Sequence, residues 1–340
     1  MMSSRNRRIL TSILTGIMLL TACIAFVFII ISLLSDNGRS AIHLNRIATA
    51  IPSKANSFIE AKGIRNTGNI CFASAVAQAL FRIDSIRNFV LNSSDKEVAG
   101  LKKLFTSLAD PQVRVVTDHG GEFVPEQFNS GEPGDSDEFY TTWIDKIKAL
   151  MGSEYLSNDF IPKVSLNRTN TNQNTSTITT DYWSAVRVNF PDGPSNVNPV
   201  DLETLFKHPN GPFGEEHLTK SLIQQYKLAS FPKFLALIFV RTAYDPVKNL
   251  MIKINTPVNI PTHFNFSEFA LDKDNSPEYK LKMFVVHHGD SNSGHYFVYV
   301  RDNGEDWKII DDEVVKSVTI IDVLAAVKTS SICFYEKKAQ

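Results

Sequence analysis

Apolar positions change their spacing along the chain, and each change marks a boundary. Ile9–Leu34 is continuously apolar, without a charged residue, and exceeds the roughly 20 residues that a helix needs to cross a hydrocarbon core. Residues 35–59 are mixed and polar, with Pro52, and read as a linker. After Cys71 the apolar residues Phe72, Ala75, Val76, Ala79, Leu80 and Ile83 recur at helical spacing, and helical patterning continues to about residue 150. The stretch 165–180, SLNRTNTNQNTSTITT, is polar and of low complexity and predicts a flexible loop. From about residue 231 the pattern becomes strand-like: FPKFLALIFVR at 231–241, HYFVYV at 295–300, WKIIDDEVV at 307–315 and SICFYEKK at 331–338. Helices first and strands afterwards predict an α+β domain over 60–337, behind a basic tail at 1–8, a transmembrane helix at 9–34 and the linker at 35–59.

Composition narrows the function classes. A formal net charge of −1 gives no electrostatic footprint for nucleic acid. The chain has three cysteines, Cys23, Cys71 and Cys333, with no metal-ligand spacing among them, so a zinc ribbon is excluded and no metal or organic cofactor is expected. LTAC at 20–23 has the form of a lipoprotein signal, yet mostly apolar residues follow Cys23, which favours an uncleaved anchor over a cleaved or lipidated leader. Arg5, Arg7 and Arg8 precede the span while Arg39 and Arg46 follow it, a slight bias that places the N-terminus in the cytoplasm.

The candidate chemistry gathers at segment boundaries. Cys71 ends the turn-rich GIRNTGNIC and opens a helix, where unpaired N–H groups and the macrodipole favour a thiolate. The same N–H groups suit an oxyanion, and Asn66 adds a side-chain donor from the preceding loop. His295 begins a strand behind the Gly-containing loop HHGDSNSG. Pairing of HYFVYVRD with DWKIID brings Asp311 back beside His295, where a carboxylate accepts the imidazole N–H and fixes the tautomer. Any one of these residues alone reads more readily as structural; together they predict a papain-like cysteine peptidase.

GIRNTGNICFASAV (63–76) resembles the Cys box of the ubiquitin-specific proteases, and HHGDSNSGHYFVYVRD with WKIIDDEVV resembles their His box. GDSDEF (134–139) is similar to the family's acidic box, with Gly134 where a Gln is usual. FPKFLALIFVR and KINTPVNIP (253–261) resemble its central strand pair, and SICFYEKK its last strand. The resemblance implies Cys71 as nucleophile, His295 as base and later acid, Asp311 as its orienting partner, Asn66 as oxyanion donor and Asp312 as an assisting carboxylate. It also implies a helical thumb, a β palm, short zinc-free fingers, and ubiquitin as partner. Asp135 and Glu138 would bind ubiquitin's arginine-containing tail, or else cap and charge the first turn of EFYTTWIDKIKAL. Tyr296 would line the channel for the Gly-Gly end, or pack as a strand aromatic. The reaction implied is hydrolysis at the C-terminal Gly of ubiquitin, with an inactive ubiquitin-binding protein or a protease for another ubiquitin-like modifier as the alternatives. Ubiquitin is cytosolic and eukaryotic, so the charge bias across the span conflicts with that substrate unless the bias misleads or the protein reaches the cytosol as a delivered bacterial effector.

Overall fold

The computed structural model describes residues 60–338 except 120, 129–130, 132–133, 192–197, 246–248, 275, 292 and 302–305. The apolar span at 9–34 and the linker at 35–59 lie outside the described residues, among which no helix is long and apolar enough to cross a membrane.

The helical half holds α1 (Cys71–Arg82), α2 (Asp84–Asn92), α3 (Ala99–Ala109) and α4 (Ser136–Met151), with two-residue strands β1 (Gly63–Ile64) and β2 (Val115–Val116) paired in parallel beside them. The short helix α5 (Ser153–Leu156) closes this half. Next come β3 (Lys163–Asn170), β4 (Thr175–Tyr182), β5 (Val186–Val188), β6 (Val200–Asp201), helix α6 (Leu202–Lys207), β7 (Glu215–His217) and β8 (Leu222–Leu228). The last part contains β9 (Phe234–Phe239), β10 (Thr242–Asp245), β11 (Leu250–Lys253), β12 (Val258–Asn259), β13 (His263–Asn265), β14 (Glu278–Gly289), β15 (Gly294–Arg301), β16 (Trp307–Asp311), β17 (Val314–Val318), helix α7 (Ile320–Ala326) and β18 (Ser330–Lys337).

The main sheet runs β17-β16-β15-β14-β18-β9-β5, with β13 also pairing with β14. Its strands alternate apolar residues to both faces, so the sheet is buried between two cores. Ala236, Ile238, Met283, Val285, Val298, Val300, Ile332 and Phe334 join α1 to α4 on one face. Leu235, Leu237, Phe284, Val286, Phe297, Tyr299, Cys333 and Tyr335 face an aromatic cluster built on Phe206, Phe213, Phe264, Phe266 and Phe269. Two irregularities interrupt the β14–β18 ladder: β14 carries an extra residue between Leu281 and Met283, and β18 one between Ser330 and Ile332.

Two sequence expectations are corrected. The stretch 165–180 is a β-hairpin, β3–β4, within the four-stranded sheet β4-β3-β8-β7. Beyond Val164 and Leu166, most of its residues face solvent on both sides, so it carries no apolar alternation; backbone pairing and the strand preference of Thr hold it extended. The sheet occupies the chain position where fingers were expected. The second correction concerns 231–241 and 253–261, which meet at one end, where the Ile254 N–H donates to the Arg241 carbonyl at 2.7 Å beside the β10–β11 hairpin; beyond that point they part, β9 pairing with β18 and β5 and β12 with β6. Pro257 and Pro261 lack the N–H donors that a longer ladder through 253–261 needs.

Candidate active site

Cys71 is the first residue of α1 and is buried, 8% exposed. The preceding loop reaches the helix through Gly68 (φ 126°) and Asn69 (φ 49°), left-handed conformations suited to those two residue types. Asn66 Oδ1 accepts from the backbone N–H of Gly68 at 3.1 Å and of Ile70 at 3.3 Å, and Asn69 donates to the Gly131 carbonyl at 2.6 Å. The loop is therefore shaped by its own side chains. Asn66 Nδ2 donates to Asp312 Oδ2 at 3.0 Å.

Helix α1 packs on β15 beside the second half of the site. The backbone N–H of Tyr296, the residue after His295, faces the Cys71 sulfur and favours its anion. Register between β15 and β16 sets Val298 opposite Ile310, so the strand ends carry His295 and Asp311 together. His295 Nε2 lies 2.6 Å from Asp311 Oδ1 and 3.8 Å from Asp312 Oδ2. A carboxylate only accepts, so Nε2 holds the proton of a neutral imidazole and the Nδ1 lone pair is left for other work. Asp312 turns the chain from β16 into β17 at φ 48°. One of its oxygens, Oδ1, is buried without a hydrogen-bond partner.

The electrostatics differ from the sequence expectation at one point. Cys71 does open a helix, yet its thiol pKa is raised: burial is the largest cause, and the negative charge of Asp312 adds to it. Hydrogen bonds from the backbone of Tyr296 and the first helical turn act in the opposite direction. Desolvation of the anion outweighs the helix end. Burial also raises Asp312, against the hydrogen bond from Asn66 and the proximity of His295.

A cleft of about 140 Å³ opens from Cys71 and is lined by Asp135, Ser136, Lys253, His287 and Tyr296 among others. Asp135 is the N-cap of α4: its Oδ1 accepts from the Asp137 N–H at 2.7 Å, which bears out the capping role, and burial raises its pKa. Glu138 is exposed in the first turn of α4, and the neighbouring Asp137 instead forms a bidentate pair with Arg187 at 2.5 and 2.7 Å. Tyr296 packs on the thumb-side core and stacks near His287, ring centroids 4.4 Å apart. Gly134 stands where it does because a Cβ would lie 2.4 Å from Phe72 Cζ.

Sequence reasoning missed His287 and Lys253. His287 sits opposite Tyr296 in the β14–β15 ladder, and burial, with Lys253 and His288 adding to it, takes its pKa down to about 4. Lys253 Nζ donates to the carbonyls of His287 (2.9 Å) and Gly289 (2.8 Å), tying β11 to the loop before His295. The only signal for His287 was its position in HHGDSNSGH, mirrored across a hairpin.

The arrangement matches a known profile: residues 62–335 fit that of ubiquitin carboxyl-terminal hydrolase. The chain belongs to the ubiquitin carboxyl-terminal hydrolase family. It is 27% identical over 317 residues to ubiquitin carboxyl-terminal hydrolase 7 of Drosophila melanogaster, covering 84% of this chain and 28% of the relative. It is 26% identical over 288 residues to ubiquitin carboxyl-terminal hydrolase 15 of Schizosaccharomyces pombe, covering 77% and 25%. The chain thus spans about a quarter of the length of these curated relatives. Its fold is similar to that in a structure of the SAGA Ubp8/Sgf11/Sus1/Sgf73 DUB module bound to ubiquitin aldehyde, with a TM-score of 0.68 at 17% identity over 89% of this chain and 75% of the other. The papain-like α+β expectation for the hydrolase domain is met.

Proposed function

We propose that this ubiquitin carboxyl-terminal hydrolase family member is a thiol-dependent deubiquitinase that cleaves the amide or isopeptide bond at the C-terminal Gly of ubiquitin. The observation that carries the reading is the 2.6 Å His295–Asp311 contact, which leaves Nδ1 as the basic atom at the strand end next to Tyr296, whose backbone N–H faces the Cys71 sulfur. In this reading His295 Nδ1 takes the Cys71 thiol proton, the thiolate attacks the carbonyl carbon, and Nδ1 passes that proton to the lysine amine as the C–N bond breaks. Water, deprotonated by His295, then hydrolyses the thioester. Asp311 holds the imidazole tautomer and stabilises the imidazolium. Asn66 and the first N–H groups of α1 receive the oxyanion, with one Nδ2 hydrogen of Asn66 on Asp312 and the second free for the substrate oxygen. Asp312 assists by holding the Asn66 amide in place. Asp135 and Glu138 meet the cationic ubiquitin tail, and Tyr296 lines the channel for its Gly-Gly end.

The domain 60–337 is the catalytic unit of this proposal. The apolar run 9–34 is its membrane anchor, linked through 35–59, with catalysis directed at a eukaryotic cytosol. The anchor predicts that the full chain sediments with membranes and resists carbonate extraction whereas residues 60–340 do not; extraction of the full chain by carbonate counts against it.

The deciding experiment treats the chain with a ubiquitin C-terminal electrophile beside a Cys71→Ala control. A Cys71-dependent adduct one ubiquitin heavier is the expected result. A folded protein that forms no such adduct but reacts with a probe built on another ubiquitin-like modifier moves the activity to that modifier. Asp311→Ala should lower kcat roughly 10²-fold or more, because the tautomer is no longer held. A loss below threefold would remove Asp311 from the machinery.

A further inference from the structure

His119 stands just past β2 and is 1% exposed, inside the thumb-side core margin. Its ring meets Phe123 edge-on, centroids 5.2 Å apart. Both ring nitrogens are engaged: Nε2 lies 2.8 Å from the Arg65 carbonyl oxygen, and Nδ1 accepts from the Gly121 N–H at 3.1 Å. A carbonyl can only accept and a peptide N–H can only donate, so the ring is neutral with its proton on Nε2. That single tautomer ties two loops together.

The loop it grips is the one that carries Asn66. Arg65 is the last residue held by the β1–β2 ladder, its N–H donating to the Val116 carbonyl at 2.8 Å. His119 takes the other side of the same residue, its carbonyl, so Arg65 is fixed at both backbone groups immediately before Asn66. Beyond Asn66 the loop is closed by the Asn66 side chain on Gly68 and Ile70. Packing alone would be served at least as well by a phenylalanine beside Phe123. A buried imidazole costs desolvation that only its two hydrogen bonds offset.

We propose that His119 is a positioning residue for the oxyanion loop: by clamping the Arg65 carbonyl it aims the Asn66 amide at the position where the substrate oxygen becomes negative. This rests on the deubiquitinase reading and on Asn66 as oxyanion donor. His119 touches no reacting atom. A donor stabilises the tetrahedral intermediate fully only when held in place beforehand, so a loosened Arg65 lowers kcat without weakening ubiquitin binding.

The test uses the full chain carrying His119→Phe or His119→Gln, each alone and combined with Asn66→Ala. The readouts are kcat and KM on a ubiquitin C-terminal fluorogenic amide, with kcat expressed per site titrated by a ubiquitin electrophile so that unfolded protein does not count. His119→Phe should lower kcat about tenfold with KM unchanged, a fraction of the roughly 10²–10³ that one oxyanion donor is worth. His119→Gln, whose amide can reach the Nε2 position and donate to Arg65, should recover most of that loss. In the Asn66→Ala background His119→Phe should cost less than twofold, because the group it positions is gone. An equal tenfold loss with and without Asn66, or no loss in His119→Phe, overturns the inference while an active wild type leaves the deubiquitinase reading intact. A folded wild type inert toward the substrate overturns that reading, and the inference with it.

Discussion

Asp312 brings a negative charge close to a sulfur that the proposed mechanism uses as an anion. The structure gives Cys71 a raised pKa with Asp312 as a contributing cause, so Asp312→Asn should lower it: removing an anion favours the neighbouring thiolate. The pH profile of alkylation by iodoacetamide should move to lower pH in Asp312→Asn, and an unmoved profile would show that the two groups do not sense each other. Asn tolerates the left-handed conformation of this turn, so the substitution leaves the backbone at ease. His287 carries a second pH dependence. Its folded pKa of about 4 lies below the ordinary 6.5, so as pH falls through that window the unfolded chain takes the proton first. Stability present above about pH 6.5 is therefore lost between 6.5 and 4, and His287→Gln should flatten that part of the urea-midpoint profile. An identical profile in the variant would assign the acid sensitivity elsewhere. Cys71, His295 and Asp311 could be read from the sequence because each sits at a boundary between periodic segments. His119 and His287 could not, since their meaning lies in a partner from another segment. The sign of the Cys71 shift was missed for a related reason: a helix end is visible in sequence, whereas the burial that outweighs it is not.

Packing at the junction of α1 and α4 explains a departure from the family pattern. Phe72 lies against Phe128 and Phe139, with centroids 5.8 and 5.6 Å away, and its ring edge fills the space that a side chain at 134 would need. Gly134→Gln should therefore overpack the junction and cost about 1–3 kcal/mol by chemical denaturation. Because Phe72 follows Cys71, electrophile labelling should slow as well. A neutral effect on stability would mean that the ring has room to turn. The α-helices were legible in their 3.6-residue period, and β15, β16 and β18 in their alternation or apolar runs. The β3–β4 hairpin was not, because a ribbon solvated on both faces has no apolar face to announce it. Nor could the pairing partner of β12 be read locally, since β6 lies far away in sequence.

The two cores share one sheet, so neither face can be lost without exposing the other. Trp143 belongs to the thumb-side core and Trp307 to the opposite one. Variants lacking Trp183, the third tryptophan, and retaining only one of these two should report coincident urea transitions, and separated midpoints would show that the cores melt independently. The order of helices and strands gave the class of the fold, but nothing in a single strand says that it is buried on both sides until its neighbours are known.

The first strand of the domain is joined to the last turn of the site. Ile64 N–H donates to the Asp312 carbonyl at 2.8 Å, Gly63 lies so close to the Glu313 backbone that a Cβ would be 2.3 Å from its oxygen, and Arg65 pairs with Glu313 at 2.8 Å. Tension on the chain ahead of Lys62 would thus meet the Gln78 hydrogen bond to the Lys62 carbonyl and then, two residues on, the β16–β17 turn. A domain pulled by its leading end would pass that force through Ile64 to the turn that carries Asp312, which makes the entry point of the chain a mechanical input to the candidate site.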